Sequence, residues 1–553
     1  MKQFVALFVF ALLLPSNCHS QVIPKYDLGG ASKPKPQLDF KKENQYKRVH
    51  QSSLRFILRG ELEKTETFLN SFLKRFPDDP ESLYMLGLLH AQREGEEALQ
   101  KSELLLAKSI EAGLPEGRLI AGPRKMIEPL ADSDLIKGLH KKFANRLVHG
   151  PLAGNISGTS ASFWVRTATE VTVSVEVENV ATGEKRLGET VQSTSTEDYT
   201  AVAKIAGLQP NSEYKYSILI DGKPAVSEFE QRFRTLAEKG KPSKFTIAFG
   251  GGAGYVPQNE RMWDTIGSFD PDAILLLGDN VYIDDPESVV MQQYTYQRRQ
   301  SRPEWRRLTA RSPVFTIWDD HDFGTNDSWG GPDIAIPFWK KDWVFPIFRQ
   351  NWANPGYGGG DDQPGCWYSF HIGDVDFIML DCRYYRMSPK IAPRSMLGTV
   401  QKKWLKEQLA SAKGTFKVIC SSVPWDFRTK GGSKDTWNGY KKEHNEIMRF
   451  IESNEIEGVV LMSADRHRSD CWKIERPDGY DLYEFNSSRL TNQHIHPTME
   501  KQGAIFSYNK PQSFGLVTFD TTLGDPTATY EVVNIDGEKP HSITVKRSQL
   551  KKD

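Results

Sequence analysis

Three acidic segments in the second half of the chain each follow directly on an apolar run: Leu277-Gly278-Asp279-Asn280-Val281-Tyr282, Trp318-Asp319-Asp320-His321-Asp322 and Ala464-Asp465-Arg466-His467. Carboxylates and imidazoles delivered from three distant segments can converge on one or two cations, which no short helical His pair could do. Asp279 is the natural carboxylate to bridge two ions, with Asp320, Asp465 and His467 completing their shells. Oxygen and imidazole ligands without a thiolate favour iron, zinc, manganese or calcium over copper. Two such ions can clamp a phosphate, lower the pKa of a bridging water toward ~7 and hold the resulting hydroxide in line with phosphorus. His321, next to Asp320, is a candidate to neutralise phosphoryl charge or to protonate a leaving alkoxide, with metal ligation as the alternative. Asn326 and Asp327 are candidates for phosphate contact or outer ligation, if they do more than form a turn. Arg383 offers a planar fork suited to phosphate oxygens, or to an ion pair with Asp381.

These residues need strands to present them. The runs 273–277, 313–317 and 458–462 are short, continuous and apolar, which fits strands covered on both faces. Ligands in open α/β sheets bind beyond the carboxyl ends of such strands. Three more runs between Ser243 and about Asp520 also end in polar groups: 245–249 before Gly250-Gly251-Gly252, 375–380 before Asp381-Cys382-Arg383, and 416–420 before Ser421-Ser422. Closing strands are expected over 514–519 and 530–533, with Lys546 to Asp553 as a charged tail.

Upstream, the period changes twice. From about Gln45 to Val148 the spacing is helical, and Gly60 and Gly95 stand close to the ~34-residue period of tetratricopeptide helix pairs, which this segment resembles in degenerate form. Such helices suggest a structural cap, with contact to another protein as the alternative. From Gly150 to about Leu236 apolar residues alternate, as in a β-sandwich. Gly207-Leu208-Gln209-Pro210 followed by Tyr214 is similar to the fibronectin type III pattern, in which a tyrosine ties the corner between sheets. Residues 1–20, with Lys2, the apolar run Phe4 to Leu14 and small residues up to Ser20, have the layout of a secretory signal, too short to span a bilayer, so no transmembrane segment is expected after its removal. That places the protein outside the cytoplasm, secreted or periplasmic. Pro15 stands where a lipid-attachment signal would want Leu, which argues against an anchor on Cys18. The remaining Cys366, Cys382, Cys420 and Cys471 follow no metal-binding spacing and could form disulfides or stay as buried thiols. Lys plus Arg and Asp plus Glu number 71 each, so no overall field favours nucleic acid.

The ordered motifs Gly278-Asp279 with Tyr282, Trp318-Asp319-Asp320-His321-Asp322, Leu380-Asp381-Cys382-Arg383-Tyr384-Tyr385-Arg386, Leu397-Gly398 with Gln401 and Trp404, Ser421-Ser422-Val423-Pro424-Trp425 and Asp465-Arg466-His467 resemble the PhoD-like alkaline phosphatases of the metallophosphoesterase group. The resemblance implies a metal-dependent hydrolase of phosphate mono- or diesters, including lipid phosphate esters, that uses two or more metal ions, with Tyr282 supplying a phenolate ligand. It implies an α/β fold, a metallophosphatase-type β-sandwich flanked by helices, preceded by an all-β Ig/FnIII-like sandwich and an α-helical TPR-like segment. The corresponding divisions are a signal peptide (1–20), a linker (21–44), the helical segment (45–148), the FnIII-like PhoD N-terminal domain (149–238), the metallophosphatase domain (243–535) and a tail (536–553). One departure stands out: the family's first strand ends in a cysteine ligand, where this chain has Gly252. Water or Asn259 would then complete that metal's shell, or the site binds a different ion, or it is weakened and the chain is a metal-bearing but catalytically weak binding protein.

Overall fold

The computed structural model describes residues 46–331, 341–390, 392 and 394–552. The expected signal, Cys18 and the linker 21–44 lie outside the described residues.

Helices α1 (Tyr46–Leu58), α2 (Leu62–Arg75), α3 (Pro80–Ala91) and α4 (Glu96–Glu111) form two hairpins, followed by the short α5 (Gly117–Ala121), α6 (Arg124–Ile127) and α7 (Asp134–Phe143). Gly60 and Gly95 end the turns within the hairpins at φ +75° and +99°, a left-handed backbone that glycine adopts without penalty. Gly87 lets α3 and α4 touch, since a Cβ there would lie 2.6 Å from a Leu106 methyl. Asp79 caps α3 by accepting the Ser82 amide at 2.8 Å. The apolar core of this segment also takes in Met291 and Tyr294, which lie on α9 (Val289–Gln300), the helix after α8 (Met262–Ser268).

The joint is also polar. Glu81 is buried and accepts both Arg118 amino groups, at 3.2 and 2.8 Å, and the Tyr294 hydroxyl at 2.6 Å. Burial opposes its charge, but Arg118, Arg298 and His50 outweigh that and pull its carboxyl from 4.5 down to about 2. Glu81→Ala strands a buried guanidinium and is expected to destabilise the protein by about 3–5 kcal/mol, read from urea unfolding. A depressed carboxyl stabilises above its unfolded value and loses that as pH falls through the folded one. The wild-type melting temperature should therefore drop more steeply between pH 4.5 and about 2 than that of the variant.

The strands fall into three sheets. In the first half of the chain lie β1 (His149–Gly154), β2 (Ser160–Arg166), β3 (Thr172–Asn179), β4 (Lys185–Leu187), β5 (Val191–Gln192), β6 (Thr200–Ala206), β7 (Glu213–Ile220), β8 (Lys223–Pro224) and β9 (Arg232–Arg234). The second half supplies β10 (Lys244–Gly250), β11 (Ala273–Leu277), β12 (Val314–Ile317), β13 (Tyr368–Ile372), β14 (Val375–Met379), β15 (Phe416–Cys420) and β16 (Val459–Ser463). It ends with β17 (Ser469–Ile474), β18 (Leu482–Asn486), β19 (Phe506–Tyr508), β20 (Ser513–Asp520), β21 (Thr527–Asn534) and β22 (His541–Lys546).

One sheet runs β22-β21-β20-β10-β11-β12-β1-β2-β6 and a second β13-β14-β15-β16-β18-β17-β19. They face each other across a shared core in which Phe315 of β12 stacks on Phe370 of β13 at 3.9 Å and Phe485 of β18 meets Tyr530 of β21 at 4.8 Å. Within each sheet the central strands are parallel, β10-β11-β12 and β14-β15-β16. All six expected site-bearing runs are therefore strands whose carboxyl ends feed loops at one edge. The third, smaller sheet groups β3, β4, β5, β7, β8 and β9, and the Tyr214 hydroxyl accepts the Gln209 amide at its corner, at 2.8 Å.

Two features differ from the sequence reading. The strands β1, β2 and β6 extend the sheet of the second half of the chain through the parallel pairing of Gly154 with Val314, so the units on either side of 239–242 share one sheet. The stretch 536–553, expected as a tail, holds β22 paired to β21, and Leu550 is fully buried. Arg547 ties that end down by donating to the Thr415 carbonyl at 3.0 Å and pairing with Glu457 at 2.8 Å. The charges of this stretch suggested solvent, but Arg547, which closes the end, has acceptors for its donors. The four cysteines 366, 382, 420 and 471 are buried free thiols, and no described helix is long and apolar enough to cross a membrane.

Candidate metal centre

The strand tips carry the ligand candidates on strained backbone. Asp279, Asp465 and His467 have φ of +52°, +65° and +49°, a region that non-glycine residues occupy only where the surroundings hold them, most often at functional sites. Glycines let the tips converge. A Cβ on Gly278 would lie 2.5 Å from the Asp319 Cβ, and one on Gly251 would lie 2.8 Å from both the Ala464 Cβ and the Gly278 carbonyl.

Asp279, Tyr282, Asp320 and His321 come together. The Tyr282 hydroxyl donates to Asp279 Oδ2 at 2.8 Å and accepts from the Asn492 amide at 2.6 Å, and its ring lies 4.4 Å from the His321 imidazole. Asp279 Oδ1 is buried with no hydrogen-bond partner. One ligand atom each of Asp279, Asp320 and His321 lies within 4.8 Å of the other two, and the same holds for Asp320, Asp327 and Asp435. Asp320 Oδ1 accepts the His321 amide and Oδ2 the Asp327 amide, at 3.0 and 2.6 Å. Asp465 and His467 stand on the neighbouring tip of β16. The Asp465 carboxylate pairs with Arg466 at 2.8 Å, and the His467 ring packs 4.9 Å from His494 and 5.5 Å from His496. Asn326 is exposed on the loop after Asp320.

The electrostatics call for a cation. Burial pushes the Asp279 carboxyl well above its ordinary range; His321 opposes the push, and Asp320, Asp319 and Asp322 add to it. Burial likewise lifts Asp319 to about 8 and Asp322 to about 7. Burial and then Asp279 hold the Tyr282 phenol protonated. A divalent or trivalent ion beside Asp279 would satisfy the orphaned Oδ1, relieve the crowded negative charge and convert the phenol to a phenolate ligand. Asp279, Asp320 and His321 form a group that fits a metal ion, with Asp327 and Asp435 offering a second group around Asp320; Tyr282 reaches the first through Asp279, whereas Asp465 and His467 join neither group.

Arg383 is corrected. Its guanidinium is fully buried, donating from Nε to Asp319 at 2.6 Å and from Nη1 to Asp435 at 2.8 Å and to the Ser328 carbonyl at 3.0 Å. With its donors taken up by protein oxygens it supports the carboxylates behind the site instead of offering a fork to phosphate. Asp381 is not its ion-pair partner; that carboxylate accepts the Trp318 indole at 2.7 Å and the backbone amides of Arg383 and Tyr384. Asn259 does not point into the centre either, because its amide donates to the Thr491 carbonyl. Residues not foreseen are Asp284, whose Oδ1 lies 2.5 Å from His321 Nδ1, Asn492 and Asp435. Asp435 and Asn492 sit in polar loops, and Asp284 follows only the three residues Val281-Tyr282-Ile283, too short to read as a strand, so strand-tip logic passes over them.

Gly252 has φ +72°, and a Cβ there would meet the Arg489 amide nitrogen at 3.0 Å. Its carbonyl accepts the Asn492 amide at 3.1 Å, which links it to the Tyr282 contact. The left-handed backbone and the narrow space mean that Gly252→Cys does not simply add a thiolate. It is expected to destabilise the protein by about 1–2 kcal/mol, seen as a lowered melting temperature, unless added metal recovers the loss through the new sulfur.

A two-sheet α/β sandwich with acidic strand tips is a metallophosphatase-type fold, and solved structures share it. The structure of PhoD superposes with a TM-score of 0.60 at 17% identity, covering 71% of this chain and 88% of that one. Purple acid phosphatase PPD1 from yellow lupin (Lupinus luteus) seeds gives 0.53 at 14% identity, covering 72% and 75%. More particularly, residues 342–525 match the family model of the PhoD-like phosphatases, the family that the motifs resemble. Residues 144–237 match a domain of unknown function, DUF7800. Alkaline phosphatase D of Bacillus subtilis (strain 168) is 23% identical over 313 residues, 48% of this chain and 52% of that protein. The chain thus spans about half the length of that curated relative.

Proposed function

We propose that the chain is a metal-dependent phosphoesterase that hydrolyses phosphate mono- or diesters. The observation that carries this reading is the orphaned, buried Asp279 Oδ1 within reach of Asp320 and His321 in a PhoD-like phosphatase fold. Metal ions held by Asp279, Tyr282, Asp320, Asp465 and His467 would supply Lewis acidity toward the phosphoryl oxygens and an activated water. The protein's own residues do the rest. Asp279 accepts the Tyr282 hydroxyl and so orients the phenol, Asp284 orients the His321 ring through Nδ1, and His321 can then hold a proton on its other nitrogen for a departing alkoxide. Arg383 keeps Asp319 and Asp435 in register from behind. The layout of residues 1–20 supports export, and the zero net charge supports a small-molecule or lipid phosphate ester over nucleic acid as substrate.

Elemental analysis of the purified protein, together with hydrolysis of nitrophenyl phosphate and bis(nitrophenyl) phosphate, tests the proposal. Two or more equivalents of iron, calcium, zinc or manganese with turnover of either ester supports it. Gly252 favours a second reading, a metal-bearing protein that binds phosphate esters without turning them over, and bound metal without turnover would establish that instead.

A further inference from the structure

The loop that leaves Asp279 is held from outside the catalytic half. Gln51 donates its side-chain amide to the Tyr282 carbonyl. Arg55 Nε donates to Asp285 Oδ2 at 2.8 Å, and Arg48 stands 3.6 Å from Asp284 Oδ2. Positions 48, 51 and 55 fall on one face of α1, and their targets span the loop from Tyr282 to Asp285. That loop carries a candidate ligand, Tyr282, and the carboxylate that orients His321. The helix also grips α9, which the loop leads into: Gln51 reaches Thr295 at 3.4 Å, and Leu54 and Ile57 share a core with Met291 and Tyr294. The loop has little regular structure of its own, and Asp284 sits at φ +52°, so something must hold it there.

We propose that α1 is a positioning element of the metal centre: Arg48, Gln51 and Arg55 fix the Tyr282–Asp285 loop, so that the N-terminal helices complete the active site. The kinetic side of this rests on the phosphoesterase reading; the structural side does not. Arg48 is half exposed and contributes little. Arg55 and Asp285 are about four-fifths covered and form the pair to cut. A misplacement of the order of 1 Å in a reacting constellation can slow the reaction ~10²-fold, and loss of positioning appears in kcat more than in KM.

The test uses the full chain with Arg55→Ala, Asp285→Ala, the double variant and the charge swap Arg55→Asp/Asp285→Arg. Hydrogen–deuterium exchange of residues 280–288 should rise about fivefold in each single variant, with the rest of the chain unchanged. The kcat on an alkyl phosphate, whose leaving oxygen needs the His321 proton, should fall roughly 10- to 100-fold with KM within about twofold. The double variant should be no worse than the singles, since both remove one interaction, and the swap should recover part of kcat. Unchanged exchange at 280–288, a rise spread over the whole helical segment, or faster loop exchange with unaltered kcat each overturns the proposal. If the wild type turns over no ester, the phosphoesterase reading fails, and the exchange comparison alone decides whether α1 holds the loop.

Discussion

Asp279→Asn is expected to leave a folded protein whose phosphoesterase turnover is lower by at least ~10³-fold and whose metal content falls by one equivalent or more. The amide keeps the size of the carboxylate and can still accept from Tyr282, so the neighbourhood need not collapse. What it lacks is the charge that lets one side chain serve two cations, and several kcal/mol of phosphoryl stabilisation goes with it. Metal-free stability should move the other way. Burial and three acidic neighbours raise the Asp279 carboxyl well above 3.8, and a carboxyl raised on folding destabilises the native state increasingly as pH climbs from its unfolded toward its folded value. At about pH 8 the metal-stripped variant should therefore melt at or above the metal-stripped wild type, while added metal raises the wild-type melting temperature and not that of the variant. Full metal content with near-normal turnover in Asp279→Asn would remove Asp279 from the centre.

The sequence shows the centre's strand-borne half and hides its loop-borne half, for a physical reason. Asp279, Asp320 and Asp465 announce themselves because each ends a run of side chains buried on both faces, and a carboxylate at the end of such a run needs an explanation. Asp284, Asp435 and Asn492 lie in polar loops where the same residue types are ordinary, and only the folding of those loops back over the strand tips gives them partners. Arg383 shows the converse. Its type suited phosphate, but that type suits a buried carboxylate equally well, and the choice depends on Asp319 and Asp435 lying 64 and 52 residues away in sequence. The same holds for layout. Period-two and helical patterns mark the elements between 45 and 238, yet the pairing of Gly154 with Val314 that merges two sheets involves a contact no local pattern encodes. At the other end, the charges of 546–552 read as solvent-facing until Arg547 meets Glu457.

His321→Ala is expected to separate two classes of substrate. Burial works against a charged imidazole, but Asp284 at 2.5 Å and then Asp320 and Asp279 outweigh it and push the ring up to about 10. A ring that keeps its proton across the neutral and mildly alkaline range is suited to donate it, and Asp284 on Nδ1 leaves the other nitrogen to do so. Alkyl phosphates, whose leaving oxygen must be protonated, should lose ~10²–10⁴-fold in kcat, and nitrophenyl esters, whose leaving oxygen needs no proton, should lose less than about tenfold. The pH profile carries a second signature. With alkyl phosphates the wild-type rate should fall on the alkaline side as His321 gives up its proton, and this limb should lie below about 10, because cations bound to Asp279 and Asp320 cancel part of the negative charge that raises the ring. Alanine should abolish that limb. Equal losses on both ester classes would make His321 a stabiliser of phosphoryl charge. Loss of a metal equivalent would make it a ligand instead, which its place within 4.8 Å of Asp279 and Asp320 also permits.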